Sequence, residues 1–201
     1  MKKQAGRLTS LRQKAASVVE RQMKEKLIPL GIPNVQFKVE LTPKEVPDET
    51  GTDKINFLFS ANKNGQLQPI SQVASGGEIA RVMLSLKAMI SGAVKLPTII
   101  FDEIDTGVSG SIAEKMAHIM QEMGALNRQV ISITHLPQIA ALGSTHYKVY
   151  KEDHAEGTSS HIVQLDEKGR VEEIAHMLSG TTLTDAAINN AKELLNQSYR
   201  K

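Results

Sequence analysis

One short stretch constrains the fold more than any other: Leu96-Pro97-Thr98-Ile99-Ile100-Phe101-Asp102-Glu103, an apolar run that ends abruptly in two carboxylates. Ile99, Ile100 and Phe101 favour a strand, and Pro97 stands only at its mouth. The run does not alternate apolar with polar residues. It therefore predicts a strand buried on both faces, as in a parallel sheet covered by helices. Ligands collect at the carboxyl ends of strands in such sheets, where Asp102 and Glu103 fall. Successive strand residues point to opposite faces, so one carboxylate can hold a metal while the other faces a water. An acidic turn after a core strand is the other reading, and this stretch alone leaves both open.

At 201 residues the chain suffices for one sizeable domain, or a domain with an appendage. It has no cysteine, which excludes disulfides, thiolate nucleophiles and zinc–thiolate sites. No apolar stretch is long enough to span a bilayer, and no apolar core follows Met1-Lys2-Lys3 to make a signal peptide. The expectation is a cytoplasmic protein without a membrane partner. Charge is uneven: residues 1–26 carry +6 and the remainder −4. A basic helix can touch a phosphate backbone or simply be a solvated face.

Residues 4–27 read as one helix. Leu8, Leu11, Ala15 and Val18 follow the 3-4-3 spacing of a coiled-coil seam, which then slips to Val19, Met23 and Leu27. Two heptads are too few for a free coiled coil, so the segment is the stump of a longer one or a helix docked on the body. Pro29, Gly31 and Pro33 break it. Alternation at Val35–Leu41 and Ile55–Ala61 predicts two half-buried strands, with a loop over 42–53 and a turn at Asn64-Gly65. This region should be a small antiparallel meander.

Ser75-Gly76-Gly77-Glu78 precedes a helical pattern at Ile79, Val82, Met83, Leu86, Met89 and Ile90. Ser75 and Glu78 are spaced as a capping box. Two glycines in a first turn are costly unless a bulky partner must approach the backbone, and free N–H groups there attract anions. A capped core helix with a flexible entry is the alternative. After the opening strand comes a loop, Thr106-Gly107-Val108-Ser109-Gly110. Then comes a helix with Ile112, Met116, Ile119 and Met123 inward, a capping box at Ser111 and Glu114, and an end at Gly124 and Asn127. The methionines are core filler.

Val130–Thr134 is a second buried strand, ending in His135-Leu136-Pro137-Gln138. Strand, helix and strand make a βαβ unit. Neighbouring strands would bring His135 to the edge that carries Asp102 and Glu103. Pro137 opens a short helix closed by Gly143, a hairpin follows around 152–157, and two helices finish the chain. His118, His146, His154, His161 and His176 show no metal-ligand spacing and read as surface or packing residues. There is no internal repeat.

In this order the pieces resemble the carboxyl-terminal half of an ABC-type ATPase head, and within that class the RecN family of SMC-like bacterial DNA repair proteins. Ser75-Gly76-Gly77-Glu78 is similar to the signature motif, Thr98–Glu103 to Walker B, Thr106–Gly110 to the D-loop and His135 to the switch histidine. The wider strings Val73–Glu78, Phe101–Gly110 and Thr134–Gln138 narrow the likeness to RecN. Ser109 stands where many ABC proteins have aspartate; the Thr-Gly-Val-Ser-Gly form is RecN-like.

The resemblance implies an α/β partial head with a small β meander over 29–201, and a helical coiled-coil end over 1–28. It implies ATP and Mg²⁺, with Asp102 helping to hold the metal. Glu103 would act as general base, and His135 would contact the γ-phosphate. Ser75, Gly76, Gly77 and Glu78 would reach the nucleotide of a second head, beside the D-loop residues Thr106, Gly107 and Ser109. Its implied partners are the amino-terminal half of the same head, a second head and DNA, in a bacterial, nucleoid-associated setting. No G-x-x-x-x-G-K-[ST] phosphate loop is present. The chain is therefore expected to be a piece of a larger protein, holding half an active site and inactive alone. A non-catalytic interaction module, and a head fragment of another SMC-like ATPase, are the competing readings.

Overall fold

The computed structural model describes residues 2–72, 76–92, 94, 96–125, 127–154, 157–180 and 182–198. These residues group into two units, 1–95 with 106–108, and 96–105 with 109–201.

In the first unit, helix α1 (Lys2–Leu27) leads into strands β1 (Gln36–Asp48), β2 (Gly51–Ser60) and β3 (Gln68–Pro69). They form the expected antiparallel meander in the order β1-β2-β3. The expected loop over 42–53 is instead mostly strand. β1 runs on to Asp48 and β2 begins at Gly51, with a register shift between Pro43 and Asp48. β1 lies at the sheet edge, where proline costs no ladder bond and a bulge absorbs the irregularity. Glu20 of α1 accepts a hydrogen bond from the Val39 N–H, 2.8 Å away, covering part of that edge.

The carboxyl-terminal half of α1 is docked: Met23 and Leu27 join Ile32, Val35, Phe59 and Val82 in one core, with Val19 packed against it. The seam read as a coiled coil faces outward; Leu11 is 55% exposed and Val18 44%. Helix α2 (Gly76–Ser91) contributes Val82, Leu86 and Met89 to the same core. Met83 and Ile90, expected inward, are exposed, while Leu84 and Ser85 are buried.

In the second unit, β4 (Thr98–Asp102) and β5 (Gln129–Ile133) are parallel neighbours, with Asp102 opposite Ile133. Helix α3 (Gly110–Gly124) connects them and packs on β5 and on α4 (Pro137–Leu142). Met116, Met120 and Met123 are buried, as core filler should be. The Ser111–Glu114 capping box does not form: Ser109 is the N-cap, Ser111 lies inside the helix, and Glu114 turns to His118. Burial on both faces of β4 is also not found. Ile99 and Phe101 are buried, but Ile100 on the other face is 55% exposed. Only two strands pair in this sheet among the described residues, and the second face keeps Ile100, Ile131 and Ile133 about half exposed.

Strands β6 (Tyr147–His154) and β7 (Gly157–Gln164) form a hairpin longer than the sequence suggested. Helices α5 (Glu167–Ser179) and α6 (Asp185–Ser198) pack Ile174, Ala175, Ala187, Ala191 and Leu195 with Ala141 of α4. Asp166 caps α5 by accepting from the Gly169 N–H at 2.7 Å.

Candidate functional site: a strand-end acid pair and its histidine

The parallel pairing of β4 and β5 brings Asp102, Glu103 and His135 to one end of the sheet, as expected of neighbouring strands. Asp102 is the last residue of β4 and shares the exposed face of Ile100. The Glu103 N–H extends the ladder by donating to the Ile133 carbonyl at 3.1 Å. Glu103 then turns with φ +47°, a left-handed conformation rare for a side-chain-bearing residue and a feature that clusters at functional sites. Its direction is thus set by this turn and not by strand alternation. Both carboxylates are exposed.

Asp105 organises the corner, and it was not singled out in the sequence. Its side chain is 1% exposed and accepts from the Thr134 hydroxyl and, at 3.3 Å, from the His135 N–H. His135 Nδ1 lies 3.5 Å from the same Asp105 oxygen, while the imidazole is 64% exposed. The Leu136 N–H donates to Thr134 Oγ1 at 3.0 Å, closing the turn. A buried carboxylate thus ties the loop after β4 to the loop after β5. It fixes the backbone of His135 through its N–H and faces one ring nitrogen, while the rest of the imidazole is exposed. The only sequence signal for this was the second acid in Asp-Glu-Ile-Asp.

The glycine-rich helix start lies in the first unit. Val73, Ala74 and Ser75, and with Ser75 the expected capping box to Glu78, lie outside the described residues. Gly76 opens α2, and a Cβ there would meet nothing within 4 Å, so its backbone is open to approach. Gly77 differs: a Cβ would lie 2.9 Å from the carbonyl oxygen of Thr106. Its missing side chain makes room for the chain's own loop, where the sequence had suggested a ligand. Glu78 is half-buried in the first helical turn. Gly107 has φ +71°, a position that favours glycine, and Ser109 is extended at the start of α3.

The histidines read as lacking ligand spacing need one correction. Cross-strand register, invisible to linear spacing, gathers Glu152, His154 and His161 on the β6–β7 hairpin, with one ligand atom of each within 4.8 Å of the others. No helix among the described residues is long and apolar enough to cross a membrane.

This fold matches that of solved SMC head domains. A solved Smc head domain with a coiled coil and joint from Pyrococcus yayanosii superposes with TM-score 0.62 at 20% identity, covering 84% of this chain and 30% of that one. A chain from a study of ATP-driven dimerization and DNA-stimulated activation of SMC ATPases gives TM-score 0.55 at 17% identity, covering 86% and 99%. No family model matches the chain. Sequence comparison is narrower. The DNA repair protein RecN of Vibrio cholerae is 34% identical over 95% of this chain, and that of Bacillus subtilis 37% over 92%. Over that length the chain is similar to RecN, and it spans about a third (34%) of each of these two relatives.

Proposed function

We propose that this chain is the carboxyl-terminal lobe of a RecN-like ATPase head, and that it supplies half of a shared nucleotide site. The observation carrying this reading is the convergence of Asp102, Glu103 and His135 at one sheet end, with His135 fastened by buried Asp105.

ATP is the substrate. Asp102 offers an exposed carboxylate oxygen at a strand end, the donor type that Mg²⁺ takes in company with waters and phosphates. When bound, that cation would neutralise charge on the phosphates. Glu103 accepts a proton from the attacking water. His135 Nε2 contacts the γ-phosphate. Ser75, Gly76, Gly77 and Glu78 present a helix start to the nucleotide of a second head, flanked by Thr106, Gly107 and Ser109. Open space over Gly76 supports the backbone approach this requires. Residues 1–28 are the end of a coiled-coil arm, whose exposed Leu11 and Val18 await a partner helix. Nucleotide closes two heads, hydrolysis opens them, and the arms couple this to DNA at a break in the bacterial nucleoid.

The test is complementation. The 201-residue chain alone should not turn over ATP. Joined to the amino-terminal half of a RecN head, it should hydrolyse ATP, and Glu103→Gln should cut turnover by about 10²–10⁴-fold, the usual weight of a general base. Ser75→Arg should abolish head pairing. Turnover by this chain alone that Glu103→Gln removes would overturn the half-site reading.

A further inference from the structure

We propose that the β6–β7 hairpin carries a divalent transition-metal site, made by Glu152, His154 and His161 and suited to Zn²⁺. Nothing in the nucleotide site uses these residues. Glu152 and His154 are two apart on β6 and so share one face of the hairpin. In the register Tyr150 pairs with His161 and Glu152 with Ser159, which puts His161 and Ser159 on that same face. The three ligands therefore come from both strands.

The side chains are turned toward a common point. His154 Nε2 lies 3.0 Å from Ser159 Oγ, and His161 Nε2 lies 2.8 Å from the same oxygen. Glu152 Oε2 is 3.5 Å from His161 Nε2. Zinc–nitrogen and zinc–oxygen bonds of about 2.0–2.2 Å in a tetrahedron put ligand atoms about 3.3 Å apart, so this last pair is already at coordination spacing. One carboxylate and two imidazoles are a donor set that Zn²⁺ accepts, with water completing the fourth position. Tyr150 stacks on His161, ring centroids 5.2 Å apart and 23° between planes, and so holds that imidazole in place.

Ser159 Oγ has a single hydrogen. It can give that hydrogen to one partner, such as the Glu152 carbonyl 3.5 Å away, and accept from a ring N–H, so without metal the hydroxyl bridges the two imidazoles. A cation at this point would take both Nε2 lone pairs, with each ring protonated at Nδ1, and replace the hydroxyl as the bridge between them. It also clips β6 to β7 near the tip of a hairpin that pairs with no third strand among the described residues.

The experiment titrates ZnCl₂ into the metal-free, tag-free 201-residue chain against a chromophoric chelator, with Co²⁺ as a spectroscopic substitute. One metal per chain is expected, with visible d–d bands from Co²⁺ in a tetrahedral site. His154→Ala or His161→Ala should each weaken binding at least about tenfold, since even second-shell losses reach that size. His118→Ala, outside the cluster, should leave binding unchanged. Zn²⁺ should slow amide exchange across 147–164, and Glu152→Gln, a near-isosteric change, should diminish that protection. No stoichiometric binding, or binding that survives the double alanine variant, overturns the site.

Discussion

Asp105 illustrates what a single residue does in this corner. Its carboxylate serves the Thr134 hydroxyl and the His135 N–H from a fully buried position. Asp105→Ala strands both donors, and leaving a buried donor unpaired costs about 1–3 kcal/mol. Urea denaturation of the chain should show a loss of about that size, and His135 should become more mobile by NMR. An unchanged midpoint would mean that Asp105 does not frame the corner. The acid pair and His135 were legible because their signal is local: an apolar strand, then a polar end. Asp105 was not, because its partner lies 29 residues away. Gly77 and Gly76 separate in the same way. Gly77→Ala forces a Cβ to within 2.9 Å of a backbone oxygen that cannot swing aside, and overpacking of this kind costs about 1–3 kcal/mol. Gly76→Ala meets open space and should be neutral or slightly stabilising. Thermal melts of the two variants check this. Equal losses would show that Thr106 is not what excludes a side chain at Gly77.

Between elements, the junction of α1 with β2 is electrostatic where the lower half of α1 is apolar. Arg12 Nη1 donates to Asp53 at 2.9 Å and Thr9 donates at 2.8 Å, while Arg12 also reaches the Thr50 carbonyl at 2.7 Å. The Arg12 guanidinium first, and the Thr9 hydroxyl next, hold the Asp53 carboxyl below the usual carboxylate range. The neighbouring turn repeats the device: Lys44, then Thr50, pull Asp48 down to about 2. A carboxylate with a lowered folded pKa contributes stability that is fully present above its unfolded value and is lost as pH falls through the folded one. Amide protection factors in the first half of α1, corrected for the intrinsic pH dependence of exchange, should therefore hold at neutral pH and fall only below the ordinary aspartate range. Asp53→Asn should abolish that acid step. A step that persists in the variant would assign it to another group. None of this was readable beforehand: Pro43, Pro47 and Gly51 masked the strands as a loop, because an edge position that forgives proline is a property of the sheet, not of the segment. The helix itself was legible, but not which of its two apolar stripes docks, since Leu11–Val18 and Val19–Leu27 differ only in what lies opposite them.

For the whole molecule, the parallel sheet of the second unit poses the main question of completeness. Parallel sheets are covered on both faces, and sheets of two strands rarely stand alone. Here Ile100, Ile131 and Ile133 are 55%, 40% and 51% exposed on one face. The sequence predicted that both faces of this strand are covered, and in this chain only the face of Ile99 and Phe101 is. The RecN relatives are about three times as long as the part matched here. On the half-site reading, their amino-terminal portion supplies the covering layer. Full burial of an isoleucine is worth about 1.5–3 kcal/mol, so three half-exposed ones offer a few kcal/mol together. The isolated chain should bind a hydrophobic dye such as ANS. Adding the amino-terminal half should quench that signal and raise the melting temperature. Replacing all three isoleucines with threonine should lower dye binding by the isolated chain and remove most of the gain in melting temperature. Dye binding that stays unquenched in the joined head, or a gain untouched by the triple substitution, would place the covering layer elsewhere.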